Sequence, residues 1–403
     1  MLRRESGQHQ ARNLRPFLFG WCLFGLAVVL ALMSLSYETK ASFDFRNFYS
    51  AGHLLRTDRS HLYDIDRQQQ VQNALISPGE KPLPFIHPAY EALLYVPFSM
   101  VSYGTAYSCF VAFNLLVVLL IFLSAYPIFA STISVWQPRP GLMLFAFLPV
   151  FVAICQGQNS LLFLFLCCLV WLKLERGEEF TAGCLLALGL CKFQLAIPIA
   201  VLWAARRGWR FAAGFGAGGA GIAGLSLALA GRAATASLVR LLSVGSLATD
   251  QSAAMQNKMA ITPSAMPNLV GLLYPVTRGL PPRLAFLLVA AASASLMAWC
   301  MCLVRRSKNQ QTAFAITILC ALLVSYHLYI YDLTLLILPV ALMAGRVSNV
   351  VLHVLYGTQC MAILVPGRQW LCLLALPSLW LLVESAMSLR QCRVAGRAAE
   401  AGG

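Results

Sequence analysis

The chain has 403 residues, 59% of them hydrophobic and only 11% charged, with a mean hydropathy of +0.71. That balance excludes an ordinary water-soluble domain, and apolar runs of about 20 residues, enough to cross a ~30 Å hydrocarbon core, recur from end to end. The formal net charge of +15 reads as a positive-inside bias and not as nucleic-acid binding, because the basic residues gather in short turns.

In chain order, residues 1–15 form a basic cytoplasmic arm with Arg3, Arg4, Arg12 and Arg15. Residues 16–36 form the first apolar run, and no small-residue cleavage site follows, so it reads as a retained signal-anchor helix. Just beyond it stands Phe43-Asp44-Phe45-Arg46-Asn47-Phe48-Tyr49, where a membrane helix should emerge into water. The polar stretch 37–84 is too long for a simple connection. Within it, Asp64 reads as the start of an amphipathic helix reaching about Leu75, before Pro78, Gly79, Pro82 and Pro84 break regular structure. Residues 85–101, carrying Pro88, Glu91 and Pro97, read as a partly immersed juxtamembrane segment, which extends the first external region to 37–101.

Membrane segments are expected at 105–129, 141–155 and 160–174, the last two joined by Gln156-Gly157-Gln158-Asn159. Two short apolar pieces, 182–191 and 195–205, flank Lys192-Phe193-Gln194. Each is too short to span comfortably, the pattern of broken helices that wrap an intramembrane site. Residues 211–230 form a Gly/Ala-rich crossing, and 231–283 form a second external region. Segments 284–304, 312–324, 333–343, 347–364 and 370–388 follow, with 389–403 a cytoplasmic tail. The expectation is an all-α polytopic protein, a single transmembrane domain over 16–388 with about twelve membrane segments, roughly 10–13, and both termini cytoplasmic. The 13 cysteines are scattered through apolar runs without a CxxC pair, which supports neither a disulfide framework nor a zinc site.

This topology brings four polar clusters to the face opposite the basic turns: Asp44, 156–159, 192–194 and 325–332. A carboxylate between Phe43 and Phe45 at a membrane surface is partly desolvated and so made basic enough to accept a proton; the plain alternative is a solvated carboxylate paired with Arg46 or Lys40. Gln158 and Asn159 suit sugar hydroxyls, since neutral amides bind them without the cost of desolvating a charge, but they serve equally to cap helix ends. Lys192, at membrane depth, needs a partner: a lipid phosphate, an acidic residue from another helix, or the surface by snorkelling. His327 and Tyr331 are four apart, as if on one helical face, with Asp332 adjoining; the tyrosines there also suit an interfacial belt. His87 and Glu91 share the same spacing in a more ambiguous segment. No Walker loop, HExxH or GxSxG occurs, and no DxD-like pair falls on the expected cytoplasmic side, so a membrane-borne donor is expected and no metal.

The chain carries FDFRNFYSAG around Asp44, LYD ending at Asp64, Pro88, and the step Val96-Pro97-Phe98. It continues with GQNSLL from Gly157, CKFQLAIP from Cys191 followed by RRGWR, KMAITPSAM from Lys258 and SYHLYIYDLTLL from Ser325. In order and spacing these motifs resemble glycosyltransferase family 87, over residues 44–336. The resemblance implies a GT-C-like helical bundle in a bacterial-type cytoplasmic (inner) membrane with its site on the extracytoplasmic face. It also implies transfer of a hexose, typically mannose, from a polyprenyl-phosphate donor to a lipid or glycan acceptor, with no cofactor besides that co-substrate. By matching position it makes Asp44 the catalytic carboxylate, Lys192 and Gln194 the Lys-x-Gln element, and Tyr331-Asp332 the Tyr-Asp element, with His327 where relatives carry His or Tyr. The sequence departs at Phe193, Tyr326 and His87, where prolines or a Tyr-Pro-Pro element are usual.

The resulting expectation assigns Asp44 as base and Lys192 with His327 to the donor phosphate. Gln158, Asn159, Gln194, Tyr331 and Asp332 are assigned to sugar or acceptor, with Arg46, His87 and Lys258 as subsidiary candidates. The competing reading is a secondary transporter or lipid flippase, which broken helices also suit, although no two-half repeat is visible; a structural membrane subunit is a third.

Overall fold

The computed structural model describes residues 25–28, 30–31, 34–79, 83–133, 147–247, 262–343, 346–364 and 370–401. The basic arm, much of the first apolar run and Lys258 lie outside the described residues. Among the described residues the regular elements are all helical.

The first external region folds into short helices. These are α1 (Tyr37–Ala41), α2 (Phe45–Thr57), α3 (Ile65–Leu75) and α4 (Ala89–Tyr95), with 3₁₀ turns at Arg59–His61 and Phe98–Met100. The expected start of α3 is present: Asp64 caps it, accepting from the backbone N–H groups of Asp66 and Arg67. Asp44 holds the equivalent position before α2, yet its side chain makes no capping hydrogen bond. That carboxylate is left for other work. α2 is bound by its aromatic face: Phe45 stacks on Phe110 at 4.9 Å and Phe48 on Tyr95 at 4.7 Å, all four rings fully buried.

The bundle follows as α5 (Tyr103–Ile133), α6 (Leu148–Gln156), α7 (Ser160–Glu175), α8 (Glu179–Ala187), α9 (Phe193–Arg207) and α10 (Trp209–Leu247). It is completed by α11 (Leu269–Thr277), α12 (Pro282–Arg306), α13 (Gln310–Val324), α14 (Ile337–Leu342), α15 (Asn349–Leu364) and α16 (Ala375–Ala401). α13 runs through the middle, every residue from Thr312 to Leu323 buried, and Phe314 on it meets Trp171 and Trp203 at 5.3 and 5.2 Å. α8 and α10 approach to backbone contact, since a Cβ on Gly214 would lie 2.0 Å from the Phe180 carbonyl oxygen. Small residues permit such a crossing without side chains between the axes.

Among the described residues five helices are long and apolar enough to cross a membrane: Tyr103–Tyr126, Glu179–Arg206, Trp209–Leu242, Pro282–Arg306 and Leu371–Leu389. Gln310–Val324 and Ile330–Leu342 are shorter apolar helices. The expectation of about twelve segments counts such shorter runs as crossings; length and composition license five among the described residues. Only 11% of the apolar windows in Trp209–Leu242 and Pro282–Arg306 is buried inside the protein, which leaves those two helices to face lipid.

At Gly231 the helix kinks with φ 80° and resumes to Leu247. One expectation is corrected: His327 and Tyr331 do not share a helical face, since α13 ends at Val324, the backbone is extended at Tyr329, and a 3₁₀ helix begins at Ile330.

Candidate active site

A cavity of about 530 Å³ opens where these elements meet, within the range of roughly 300–1,000 Å³ usual for small-molecule sites. Its wall includes Asp44, Arg46, His87, Gln156, Gln158, Lys192, Gln194, His327, Tyr331 and Asp332. The four polar clusters anticipated from sequence therefore converge.

Asp44 is half-buried on this wall. Gln158 donates its Nε2–H to Asp44 Oδ2 at 2.6 Å, the Asp44 backbone N–H donates to Gln156 Oε1 at 3.2 Å, and the Tyr331 hydroxyl lies within hydrogen-bonding reach of the carboxyl. Burial raises the Asp44 carboxyl above its usual 3.8, opposed by those two side-chain bonds and by the charges of Arg46 and Lys192. Loss of water outweighs all four, which makes the carboxylate a better proton acceptor than a surface aspartate.

Both glutamines are placed by the end of α6. Gly157 adopts the left-handed conformation (φ 65°) and closes a Schellman turn: its N–H bonds the Ile154 carbonyl at 3.1 Å and the Gln158 N–H bonds that of Ala153 at 2.9 Å. The glycine also admits α2, because a Cβ there would stand 2.6 Å from Phe45 Cβ. The turn is pinned by Tyr107, whose hydroxyl donates to the Cys155 carbonyl at 2.7 Å, and by Asn114, which reaches the Gln158 carbonyl at 3.4 Å.

Lys192 ends a 3₁₀ segment, Leu188–Lys192, that interrupts the span between α8 and α9. Its Nζ lies 2.7 Å from Asp332 Oδ1, with side chains only 3% and 1% exposed. Of the partners left open by sequence, the acidic residue from another helix is the one present. Asp332 also accepts from Ser160 Oγ at 2.9 Å and from the Tyr329 N–H at 3.2 Å, so it staples α7, the broken span and the 3₁₀ helix together. The ammonium sits 5.4 Å from the Tyr331 ring centroid, close enough for a cation–π contact.

His327 lies in the irregular link between α13 and the 3₁₀ helix, its ring perpendicular to that of Tyr329 at 4.8 Å. Burial pushes its imidazole down to about 4, with Asp332 opposing and the positive charges of Lys192 and His87 reinforcing. It is neutral at physiological pH, a hydrogen-bonding group and not the cation expected beside a phosphate.

Asn159 is not on the cavity wall. It is 2% exposed and donates its amide to the buried Glu91 carboxylate. Gln194 and Arg46 do line the cavity, as does His87. Gln156, part of the expected 156–159 cluster, holds the Asp44 backbone; Ser160, on Asp332, was not singled out from sequence, and a serine opening the helix after a Gln-Gly-Gln-Asn turn was the available signal. Among the described residues no three His, Cys, Asp or Glu side chains gather as a metal site.

No curated protein and no solved structure matches the chain. Residues 85–339, more than half of it, match the model of glycosyltransferase family 87. The matched stretch begins after Asp44 and Arg46 but contains His87, Gln158, Lys192, His327, Tyr331 and Asp332, so most of the wall belongs to it. A helical membrane protein with this polar cavity and this match is a glycosyltransferase, and the chain belongs to glycosyltransferase family 87.

Proposed function

We propose that the protein transfers a hexose, mannose by the family resemblance, from a polyprenyl-phosphate carrier to a lipid or glycan hydroxyl at the extracytoplasmic face of a cytoplasmic membrane. The observation that carries this reading is the Asp44 carboxylate: exempt from capping its own helix, raised by burial, and held by Gln158 and Tyr331 on the wall of the cavity. The cavity volume suits a sugar with its phosphate, while a polyprenyl tail gains by staying in hydrocarbon.

The reaction is a single displacement. The acceptor oxygen attacks the anomeric carbon while Asp44 takes its proton, general-base catalysis that contributes typically 10²–10⁴-fold. The bond from the anomeric carbon to the phosphate oxygen breaks, and its electron pair leaves with the lipid phosphate. Gln158 and Tyr331 fix the direction of the carboxylate, so proximity and orientation are set before substrate arrives. Lys192 and His327 face the same space and serve the phosphate, Lys192 as a charge shared with Asp332 and His327 as a neutral donor. One carboxylate and one displacement give inversion: a β-linked donor yields an α-linked product.

The test is reconstitution of the purified protein in proteoliposomes with labelled polyprenyl-phosphate mannose and a lipid extract. Formation of a new labelled glycolipid or glycan is expected. Transbilayer movement of the donor without product supports the flippase reading that the broken span also suits, and refutes this one.

A further inference from the structure

Beyond the groups that the displacement uses, the cavity wall carries a histidine held in place from several sides. His87 lines the cavity, held between Phe85, stacked on its ring at 5.3 Å, and Phe48, edge-on at 5.6 Å. Its Nδ1 lies 3.1 Å from the Cys191 carbonyl oxygen and 2.9 Å from Glu91 Oε2. Both of these atoms are acceptors, so Nδ1–H is the donor toward them, and Nε2 is the ring nitrogen left for a ligand. The Glu91 side chain is 3% exposed against 23% for His87. Its Oε1 accepts from the Asn159 amide, while Oε2 makes its ion-pair contact with the imidazole. A buried carboxylate in that position favours a cationic partner, and His87 is the neighbour whose chemistry can supply one.

The need for such a cation follows from the rest of the wall. A lipid phosphate that loses its sugar passes from a monoanionic diester to a dianionic monoester. Lys192 shares its charge with Asp332 at 2.7 Å, Arg46 on the same wall sets its charge against Asp44, and His327 is neutral. His87 is joined to the Lys192 segment through the Cys191 carbonyl and therefore stands on the same wall as these groups.

We infer that His87 binds the phosphate of the lipid carrier through Nε2–H, with Glu91 and Asn159 as the positioning residues that hold its ring as an imidazolium. As the sugar–phosphate bond breaks, its electron pair comes to rest on a phosphate oxygen facing that N–H, while the acceptor's proton remains on Asp44. The inference rests on the displacement reading for its catalytic role, but the ligand class it names, a polyprenyl monophosphate, can be tested without turnover.

The experiment measures binding of farnesyl phosphate, and of farnesol as the uncharged control, to the purified full chain in detergent. His87→Gln should weaken farnesyl phosphate at least tenfold and leave farnesol unchanged; Glu91→Gln should weaken it several-fold with the same selectivity. His87→Lys, which restores a cation, should recover most of the affinity and guards against a folding defect in the glutamine variant. Wild-type affinity for farnesyl phosphate in a folded His87→Gln protein, or equal losses for phosphate and alcohol, would overturn the assignment. Selective phosphate binding through His87 in a protein that makes no glycosylated product would keep this inference and remove the transferase reading.

Discussion

Replacing Asp44 with asparagine separates chemistry from folding. Asparagine keeps the shape and one acceptor oxygen for the Gln158 N–H, but it cannot take the acceptor's proton. Loss of a general base costs typically 10²–10⁴-fold, about 3–5 kcal/mol at 1.36 kcal/mol per decade. Stability should move the other way. The folded-state pKa of Asp44 is raised above 3.8 by burial, so its stabilising contribution is complete below 3.8 and is lost as pH rises through the folded value. At pH 7 the ionised carboxylate is a net cost to the fold, and the amide removes it. The assay is initial transfer rate in proteoliposomes beside a thermal melt of the same preparation at pH 7. The expected result is at least a hundredfold loss of rate with an unchanged or higher Tm. A rate within tenfold of wild type refutes the base assignment; a Tm lowered by many degrees refutes the claim that the carboxylate is exempt from structural work.

Other predictions follow from the same geometry. Lys192→Ala leaves Asp332 charged and buried, and breaking a buried pair costs roughly 3–5 kcal/mol; the double variant Lys192→Met with Asp332→Leu should regain much of the lost thermal stability but no transfer, and equal Tm values for single and double variants would contradict the pairing. Gly157→Ala places an L-residue at φ 65°, a strain of about 1–2 kcal/mol, and drives its Cβ into Phe45, so both Tm and transfer should fall in melts and rate assays. His327 has its folded pKa lowered from 6.5 to about 4; its contribution is present above 6.5 and is lost as pH falls toward 4. Wild type should therefore lose Tm between pH 7.5 and 5, and His327→Gln should lose less.

What could be read from sequence was set by local physics. An apolar run followed by a lone aspartate between aromatic residues points to a desolvated carboxylate but leaves a solvated ion pair open, and Gln-Gly-Gln between two apolar helices marks a turn. The break at Lys192 was visible because two pieces too short to span flank a charge. The partner of Lys192 was not, because Asp332 lies 140 residues away and nothing local distinguishes an intramolecular carboxylate from a lipid phosphate. The contact of Asn159 was not legible because adjoining residues at a helix start diverge: Gln158 turns to Asp44 and Asn159 to Glu91. His327 and Tyr331 were put on one face by a 3.6-residue period that their backbone does not follow. The proposed role of His87 depends on Glu91, Asn159 and the Cys191 carbonyl, which only packing brings together.

The central claim is a direct displacement at the anomeric carbon with Asp44 as its single base. The most direct measurement is the anomeric configuration of the product made from a β-linked polyprenyl-phosphate hexose, read by NMR from the one-bond carbon–proton coupling. The account predicts an α-linkage. A β-linked product would mean two displacements through a covalent intermediate, a chemistry in which one proton-accepting carboxylate is not enough.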